Sequence, residues 1–241
     1  ESGVFSIEAL QALGRVSDPQ ISPDKTKILY GISYESVEEN KSNRDLYVMN
    51  IDGSDNHRIT KTAKSENNAV WINGGNKIAF ISSESGKPQV WTMNADGSDR
   101  QVASDIENGV NGFVLSPDER HILLISNIKY GATPEDLYSD LPKATGRVIT
   151  DLMYKHWDEW VKTIPHSFVA DFNGTEVTNI VDMLKDEPYE APMKPFGGVE
   201  SLAWAPDGKS VVYVSRKKTG MQKAISTNSD LYQYNIETGE T

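Results

Sequence analysis

The sequence predicts an all-β fold built from repeated antiparallel hairpins, and three observations support this. One hairpin pattern occurs four times, at residues 21–30, 71–80, 115–124 and 204–213. A second pattern, an alternating strand followed by a tight turn, occurs at residues 45–60, 88–103 and 230–240. Together they form a unit of four short strands that recurs every roughly 40–50 residues. Such a unit is typical of a β-propeller blade.

The turns contain residues suited to tight chain reversal. Proline in Ser22-Pro-Asp and Ser116-Pro-Asp presets φ, and Gly53 and Gly97 supply positive φ. Strands such as residues 27–31 are apolar on both sides, which suits sheets stacked between neighbouring sheets. Unrelated hairpins of a β-sandwich are the alternative, but a sandwich does not reuse one turn at a fixed period.

We divide the chain into a lead-in, residues 1–18, and a partial propeller, residues 19–241. A short helix is predicted over residues 6–14, with Ser6 as N-cap and Gly14 as its C-terminal stop. Its apolar face would consist of Ile7, Leu10 and Leu13.

The predicted blades cover residues 19–62, 66–106, 110–184 and 198–241. The third blade contains a predicted helical insertion, residues 130–165. Thr133 and Pro134 would start one helix there. A second helix is predicted over residues 147–162, because four side chains fall on one helical face: Ile149, Met153, His156 and Trp160. Three prolines predict a loop over residues 186–195.

Four blades are fewer than the seven or eight of common closed propellers. We therefore expect the chain to be an N-terminal piece of a longer protein and an incomplete seven- or eight-bladed ring. A closed four-bladed ring is the structural alternative.

Composition narrows the functional classes. The net charge of −11, with 35 acidic and 24 basic residues, argues against a nucleic-acid partner. No run of 18 apolar residues is present, so no membrane span is expected. The absence of cysteine excludes disulfides, thiol catalysis and thiolate metal sites. We expect no cofactor, and a periplasmic or secreted location ahead of a cytoplasmic one.

The histidines and the acidic turns are predicted to have structural roles. His57, His121 and His166 lack metal-ligand spacing, and His156 is expected to be packed and hydrogen-bonded. The turns at residues 52–55 and 96–99 lack the pattern of a calcium loop and are predicted to be hairpin turns. The segment at residues 173–175 matches a glycosylation acceptor, but a hairpin turn is favoured there too.

Several segments resemble a known family. The repeats at residues 71–103 and 115–124 look like TolB-type propeller repeats. Residues 156–160, His-Trp-Asp-Glu-Trp, followed by His-Ser-Phe-Val at 166–169, resemble a stretch in the propellers of prolyl oligopeptidase-family serine peptidases. The similar members are dipeptidyl-peptidase V and acylaminoacyl-peptidase-like enzymes. Residues 15–24 resemble the start of their first blade, so the resemblance covers nearly the whole chain.

The resemblance implies a propeller that caps a C-terminal α/β-hydrolase domain of the same protein. The family's nucleophile lies in a Gly-x-Ser-x-Gly elbow, which does not occur in these 241 residues. We therefore expect no peptidase activity from this chain alone. The implied partners are that hydrolase domain and an oligopeptide substrate, and a homodimer is an open alternative.

The resemblance also implies a site. In related dipeptidyl peptidases, acidic side chains of a propeller insertion pair with the substrate's α-amino group, a charge-assisted contact. By position, Glu159 and Asp158 are the candidates here, with Trp157 and Trp160 as apolar walls. The tandem glutamates of those enzymes are absent, so the assignment rests on location and chemistry. The alternative is that the tryptophans pin the insertion and the acids are merely solvated.

The leading functional hypothesis is the substrate-gating propeller of an exported serine exopeptidase that releases dipeptides or acylated residues. The alternative is a non-catalytic TolB-like propeller that binds a protein partner. A self-contained enzyme using carboxylates has the least support.

Overall fold

The computed structural model describes residues 3–241, and the chain folds into two compact units. One unit contains the residues up to Val110 together with Phe172–Thr178. The other contains Asn111–Asp171 and Asn179–Thr241.

The first unit contains one short helix and two four-stranded sheets. The helix α1 covers Ile7–Ala12, and the first sheet has the order β1-β2-β3-β4, with strands Arg15–Ile21, Lys27–Ser36, Lys41–Asn50 and His57–Arg58. The second sheet has the order β5-β6-β7-β8, with strands Asn67–Ile72, Lys77–Ser82, Gln89–Asn94 and Gln101–Val102. A 3-10 turn at Asn73–Gly75 joins β5 to β6.

The third sheet has the order β14-β13-β10-β9. Its strands are β9 and β10, Gly112–Leu115 and His121–Lys129, and β13 and β14, Thr163–Phe172 and Val177–Asp182. Between β10 and β13 lie the helix α2, Pro134–Leu137, and the small hairpin of β11 and β12, Lys155–His156 and Glu159–Trp160.

The fourth sheet has three strands in the order β15-β16-β17, namely Leu202–Trp204, Ser210–Ser215 and Asp230–Asn235. A 3-10 turn at Val199–Ser201 precedes β15, and the helix α3, Gln222–Ile225, follows β16. The sequence did not predict α3. The predicted loop over residues 186–195 contains no helix or strand, as expected.

The repeated antiparallel hairpins confirm the predicted all-β fold class. Corresponding cross-strand pairs in three sheets are aromatic: Tyr30 with Tyr47, Phe80 with Trp91, and Tyr213 with Tyr232. The two tyrosine pairs stack with ring centroids 5.7 and 5.5 Å apart. Such pairs stabilise neighbouring strands beyond the area they bury.

The predicted turn chemistry is also confirmed. Ser22 Oγ donates to Asp24 at 2.6 Å and accepts the backbone N–H of Lys27. Ser116 makes the equivalent contacts with Asp118 and His121. The segments at residues 52–55, 96–99 and 173–175 are tight turns in which Asp52, Asp96 and Asn173 accept hydrogen bonds from the residue two positions on.

Each unit has its own apolar core. In the first unit the buried cluster includes Leu29, Leu46, Trp71, Ile78, Phe80 and Met93. In the second unit it includes Leu123, Val169, Leu184, Val211 and Tyr213. Most of these residues lie on the second and third strands of their sheets, the positions that the sequence shows as apolar runs.

The predicted N-terminal helix is present, with Ser6 Oγ accepting the N–H of Ala9 at 3.2 Å. The expected role of Gly14 is wrong, because α1 ends at Ala12 and passes into extended backbone at Leu13. Gly14 instead admits a close approach, since a Cβ there would lie 2.7 Å from Ile32. Strand β1 begins at Arg15, inside the segment that we assigned to the lead-in.

The predicted helical insertion is largely wrong. Only α2 is helical, and the segment predicted as a helix over residues 147–162 contains irregular chain followed by the β11–β12 hairpin. Trp157 has a φ of 54°, which a helix excludes. Asp151 Oδ1 accepts the N–H of Met153, a turn that competes with helical hydrogen bonding. The apolar spacing does not produce a helix here, because no apolar side chain of this segment is buried in a core.

A buried arginine determines how β1, β2 and β3 fit together. The Arg44 side chain is 8% exposed and contacts Asp18 at 2.8 Å and Ser17 at 3.2 Å. It also donates to the backbone carbonyl of Glu66. Burial lowers the pKa of Arg44, and the charges of Asp18 and Glu66 oppose that shift. The guanidinium lies across Gly31, where a Cβ would be 2.1 Å from it.

Gly31→Ala is therefore expected to destabilise the protein. The added methyl must displace the Arg44 guanidinium, and overpacking of this kind costs about 1–3 kcal/mol. Denaturant unfolding followed by circular dichroism measures the change. Gly146→Ala is the matched control, because a Cβ at that position meets nothing within 4 Å. Equal stability of the two variants would show that the position of the Arg44 guanidinium does not require a glycine at residue 31.

Candidate functional site

The candidate site is a cavity of about 400 Å³ within the segment that joins β10 to β13. We call this segment, residues 130–162, the insertion, and the space the insertion cavity. The lining is mixed: it includes the rings of Tyr130, Tyr154 and Trp160, the charged side chains of Glu135, Arg147 and Asp151, and several threonine hydroxyls.

Of the four residues predicted for the site, which follow one another in the β11–β12 hairpin, one lines the insertion cavity. Trp160 lines the insertion cavity, whereas Trp157, Asp158 and Glu159 do not. Asp158 and Glu159 lie on the exposed β11–β12 hairpin, where the backbone of Glu159 is opposite that of His156 in the strand register. Trp157 is 71% exposed and contacts Phe196 edge-on, with ring centroids 4.9 Å apart. A tryptophan at positive φ is uncommon and marks a constrained turn.

His156 anchors this hairpin. Its Nε2 lies 2.7 Å from Glu190 Oε1, and both side chains are largely shielded from solvent. Glu190 also accepts the backbone N–H of Lys194, in the loop that carries Phe196. The prediction of a packed, hydrogen-bonded histidine is confirmed, and the contact fixes the acids between Trp157 and Trp160.

A buried lysine holds the base of the insertion. Lys223, on α3, donates to Tyr130 Oη at 3.0 Å and to Asp151 Oδ2 at 3.1 Å. Burial disfavours the charge on Lys223, but these two bonds outweigh burial and raise its pKa above 10.5. The pKa of Asp151 is lowered, first by the N–H of Met153 and also by Lys223. The pair is therefore ionised at neutral pH.

One wall of the insertion cavity is α2. Thr133 caps the helix as predicted, within a capping box: Asp136 accepts the backbone N–H and the hydroxyl of Thr133. Lys129, at the end of β10, donates to both oxygens of Asp136. These contacts lower the pKa of Asp136 to about 2, with Lys129 as the largest cause.

Sequence reasoning missed Tyr130, Glu135, Arg147 and Asp151 as cavity residues. They are spread over the insertion, and no short motif unites them. The signal that could have indicated them is local: an unusual concentration of charged and aromatic residues in an insertion that interrupts an otherwise regular repeat.

The remaining histidines lie elsewhere. His166 is fully buried in β13, and its Nδ1 contacts Asp182 at 2.9 Å. His57 and His121 lie near Asp55 and Asp171 respectively. Residues 3–241 do not bring three His, Cys, Asp or Glu side chains together in a group suited to a metal ion. No helix in the described part of the chain is long and apolar enough to cross a membrane.

Comparison with known proteins identifies the class. The family model described as "TolB beta propeller domain" matches residues 7–156, and the chain belongs to that family. The solved structure of TolB from Acinetobacter baumannii superposes with a TM-score of 0.52 at 14% identity, over 94% of this chain and 42% of that chain.

More specific similarities connect this propeller to peptidases. The chain is 50% identical to dipeptidyl-peptidase 5 of Porphyromonas gingivalis over 97% of its own length and 34% of that protein. The Pyrococcus horikoshii acylaminoacyl peptidase structure has a TM-score of 0.64 at 15% identity, covering 93% of this chain and 32% of that chain. The chain thus spans about a third of these relatives, and the resemblance to propellers of prolyl oligopeptidase-family peptidases is confirmed.

The capping box of α2 gives a direct pH test. Titration of the Asp136 carboxyl by NMR is expected to give a pKa of about 2, and Lys129→Met should raise it toward 3.8. Lys143→Met, at an exposed lysine of the same insertion, should leave it unchanged. Because the pKa of Asp136 is lower in the folded protein than in the unfolded chain, the ionised carboxylate stabilises the fold at pH values above 3.8. This contribution to the free energy of unfolding should be constant down to about pH 3.8 and should be lost as the pH falls toward 2. An ordinary Asp136 pKa in the unmodified protein would contradict the geometry.

Proposed function

We propose that this chain is the substrate-gating propeller of a serine exopeptidase that hydrolyses peptide bonds near the N-terminus of oligopeptides. The observation that carries the proposal is the 50% identity to a dipeptidyl-peptidase 5 across 97% of the chain. The match spans 34% of that relative, and we assign catalysis to the α/β-hydrolase domain of the same protein that the family resemblance implies. The propeller would limit access by size and supply part of the substrate site.

Asp158 and Glu159 remain the proposed contacts for the substrate's α-ammonium group. They are exposed, they project from a hairpin fixed by His156 and Glu190, and Trp157 and Trp160 flank them. An ammonium ion gains most from carboxylates whose positions are fixed before it binds. A free amino terminus held here would determine how far the peptide extends toward the scissile bond.

We further propose that the protein acts outside the cytoplasm, in the periplasm or after secretion. The lack of cysteine and the net charge of −11 are compatible with that location. Cell fractionation of the source organism, followed by immunodetection, tests it: detection only in the cytoplasmic fraction would contradict it.

Labelling with a fluorophosphonate tests the proposed reaction. The full-length gene product is expected to react at one serine in a Gly-x-Ser-x-Gly elbow and to release dipeptides from peptide substrates, whereas residues 1–241 alone should not be labelled. A full-length protein that neither reacts nor cleaves would favour the alternative, a TolB-like propeller that binds a protein partner.

Glu159→Gln and Asp158→Asn test the ammonium contact. In the full-length protein each is expected to raise KM for peptides with a free amino terminus by about tenfold, as loss of one charge-assisted hydrogen bond implies. Cleavage of N-acetylated peptides should not change. Glu176→Gln, at an exposed acid in another hairpin turn, is the control. Unchanged KM in both variants would remove these residues from the site.

A further inference from the structure

Arg147 is a cation of the insertion cavity that lacks a carboxylate partner. Its guanidinium carbon lies 4.2 Å from the centre of the Trp160 ring, and the residue lines the cavity. Within residues 3–241, no Asp or Glu side chain is within ion-pair distance of Arg147. In a protein with a net charge of −11, acidic side chains outnumber basic ones, so a guanidinium in this cavity that is not paired with an acid is available to an anionic ligand.

Trp160 fixes the guanidinium in place. The indole is supported from β11 by Lys155, whose Nζ is 4.9 Å from the ring centre, and by the Tyr154 ring, whose centroid is 6.3 Å away. A guanidinium that lies with its flat face on an aromatic ring keeps its N–H edge for hydrogen bonds. That edge matches a carboxylate, with two parallel N–H donors facing two oxygens.

The backbone beside Arg147 offers a second contact of a different kind. Residues 145–150 line the cavity, and none of them forms a hydrogen bond to another backbone group of the described chain. Their N–H and C=O groups therefore keep hydrogen-bonding capacity that water or a ligand can satisfy. An extended peptide can satisfy such groups with hydrogen bonds from its own backbone. The volume of about 400 Å³ lies within the range of ligand sites.

We propose that the insertion cavity binds a peptide carboxylate. Arg147 donates to the carboxylate, and residues 145–150 pair with the peptide backbone next to it. The carboxylate comes either from the C-terminus of a short peptide or from an acidic side chain. This proposal rests on the proposed function only where it treats the bound peptide as a substrate. It adds the substrate class, namely peptides that present a carboxylate to Arg147.

Binding to the full-length gene product tests the site. The protein is first treated with a fluorophosphonate, so that an active serine peptidase cannot degrade the probes. Isothermal titration then compares three probes: tetra-alanine as free acid, tetra-alanine amide, and Ala-Ala-Ala-Glu amide. The free acid is expected to bind at least fivefold more tightly than the tetra-alanine amide. If the glutamate amide matches the free acid, an acidic side chain also occupies the site; if it matches the alanine amide, the site accepts the C-terminus.

Variants assign the effect to Arg147. Arg147→Gln is expected to abolish the preference for the carboxylate while amide binding stays unchanged, which also shows that the variant is folded. Arg147→Lys should retain part of the preference, because the charge remains but the planar fork is lost. Lys143→Gln, an exposed lysine of the insertion that does not line the cavity, should behave as the unmodified protein.

Three results would overturn the site: equal affinity for acid and amide, a carboxylate preference that survives Arg147→Gln, or no binding of any probe at millimolar concentration. Because the readout is binding, it is independent of the reaction. A protein that resists fluorophosphonate but shows the Arg147-dependent preference would retain the carboxylate site while losing the peptidase assignment.

Discussion

The buried ammonium of Lys223 is the interaction on which the candidate site depends. It joins α3 to Tyr130, where the insertion begins, at 3.0 Å and to Asp151, in the irregular chain before the β11–β12 hairpin, at 3.1 Å. A charge removed from water is tolerated only when it is paired and hydrogen-bonded, and loss of either partner leaves the other uncompensated. Lys223 therefore holds in place Tyr130 and Asp151, two residues that line the cavity together with Arg147 and Trp160.

Polar contacts matter here because burial does not hold the insertion. Residues 131–163 are all described, and none of them is buried, whereas β10 and β13 on either side contain nearly continuous buried runs. The hydrophobic effect, roughly 25 cal/mol per Å² of apolar surface, thus stabilises the sheets far more than the insertion. The insertion is instead stabilised by polar contacts. These are the hydrogen bonds of Lys223, the contact of His156 with Glu190 and the capping box of α2.

The same contrast explains what the sequence could and could not predict. The sheets could be predicted because their turns and strands depend on neighbouring residues. Ser22 and Ser116 form one type of turn, and Gly53 and Gly97 allow another. Apolar runs identify the buried strands. The helix over residues 147–162 was inferred from spacing alone, which indicates a helix only where a core exists to receive its apolar face. The acids at 158 and 159 were located by resemblance, but Arg147 was missed because its importance comes from the stacked Trp160 and from the missing acidic partner. Both are properties of the folded chain.

Charge balance determines how the two proposed contacts work together. The net charge of −11 repels a carboxylate at a distance, so Arg147 contributes only at contact, where stacking on Trp160 has already oriented it. The same charge attracts an ammonium group from a distance toward Asp158 and Glu159. Glu159 and Trp160 are neighbours on β12, and Arg147, from the irregular chain before the hairpin, contacts the ring of Trp160. A ligand that carries both charges, as a short peptide with free termini does, has a group of opposite charge for each proposed contact, whereas an anion without an ammonium group meets only the repulsion.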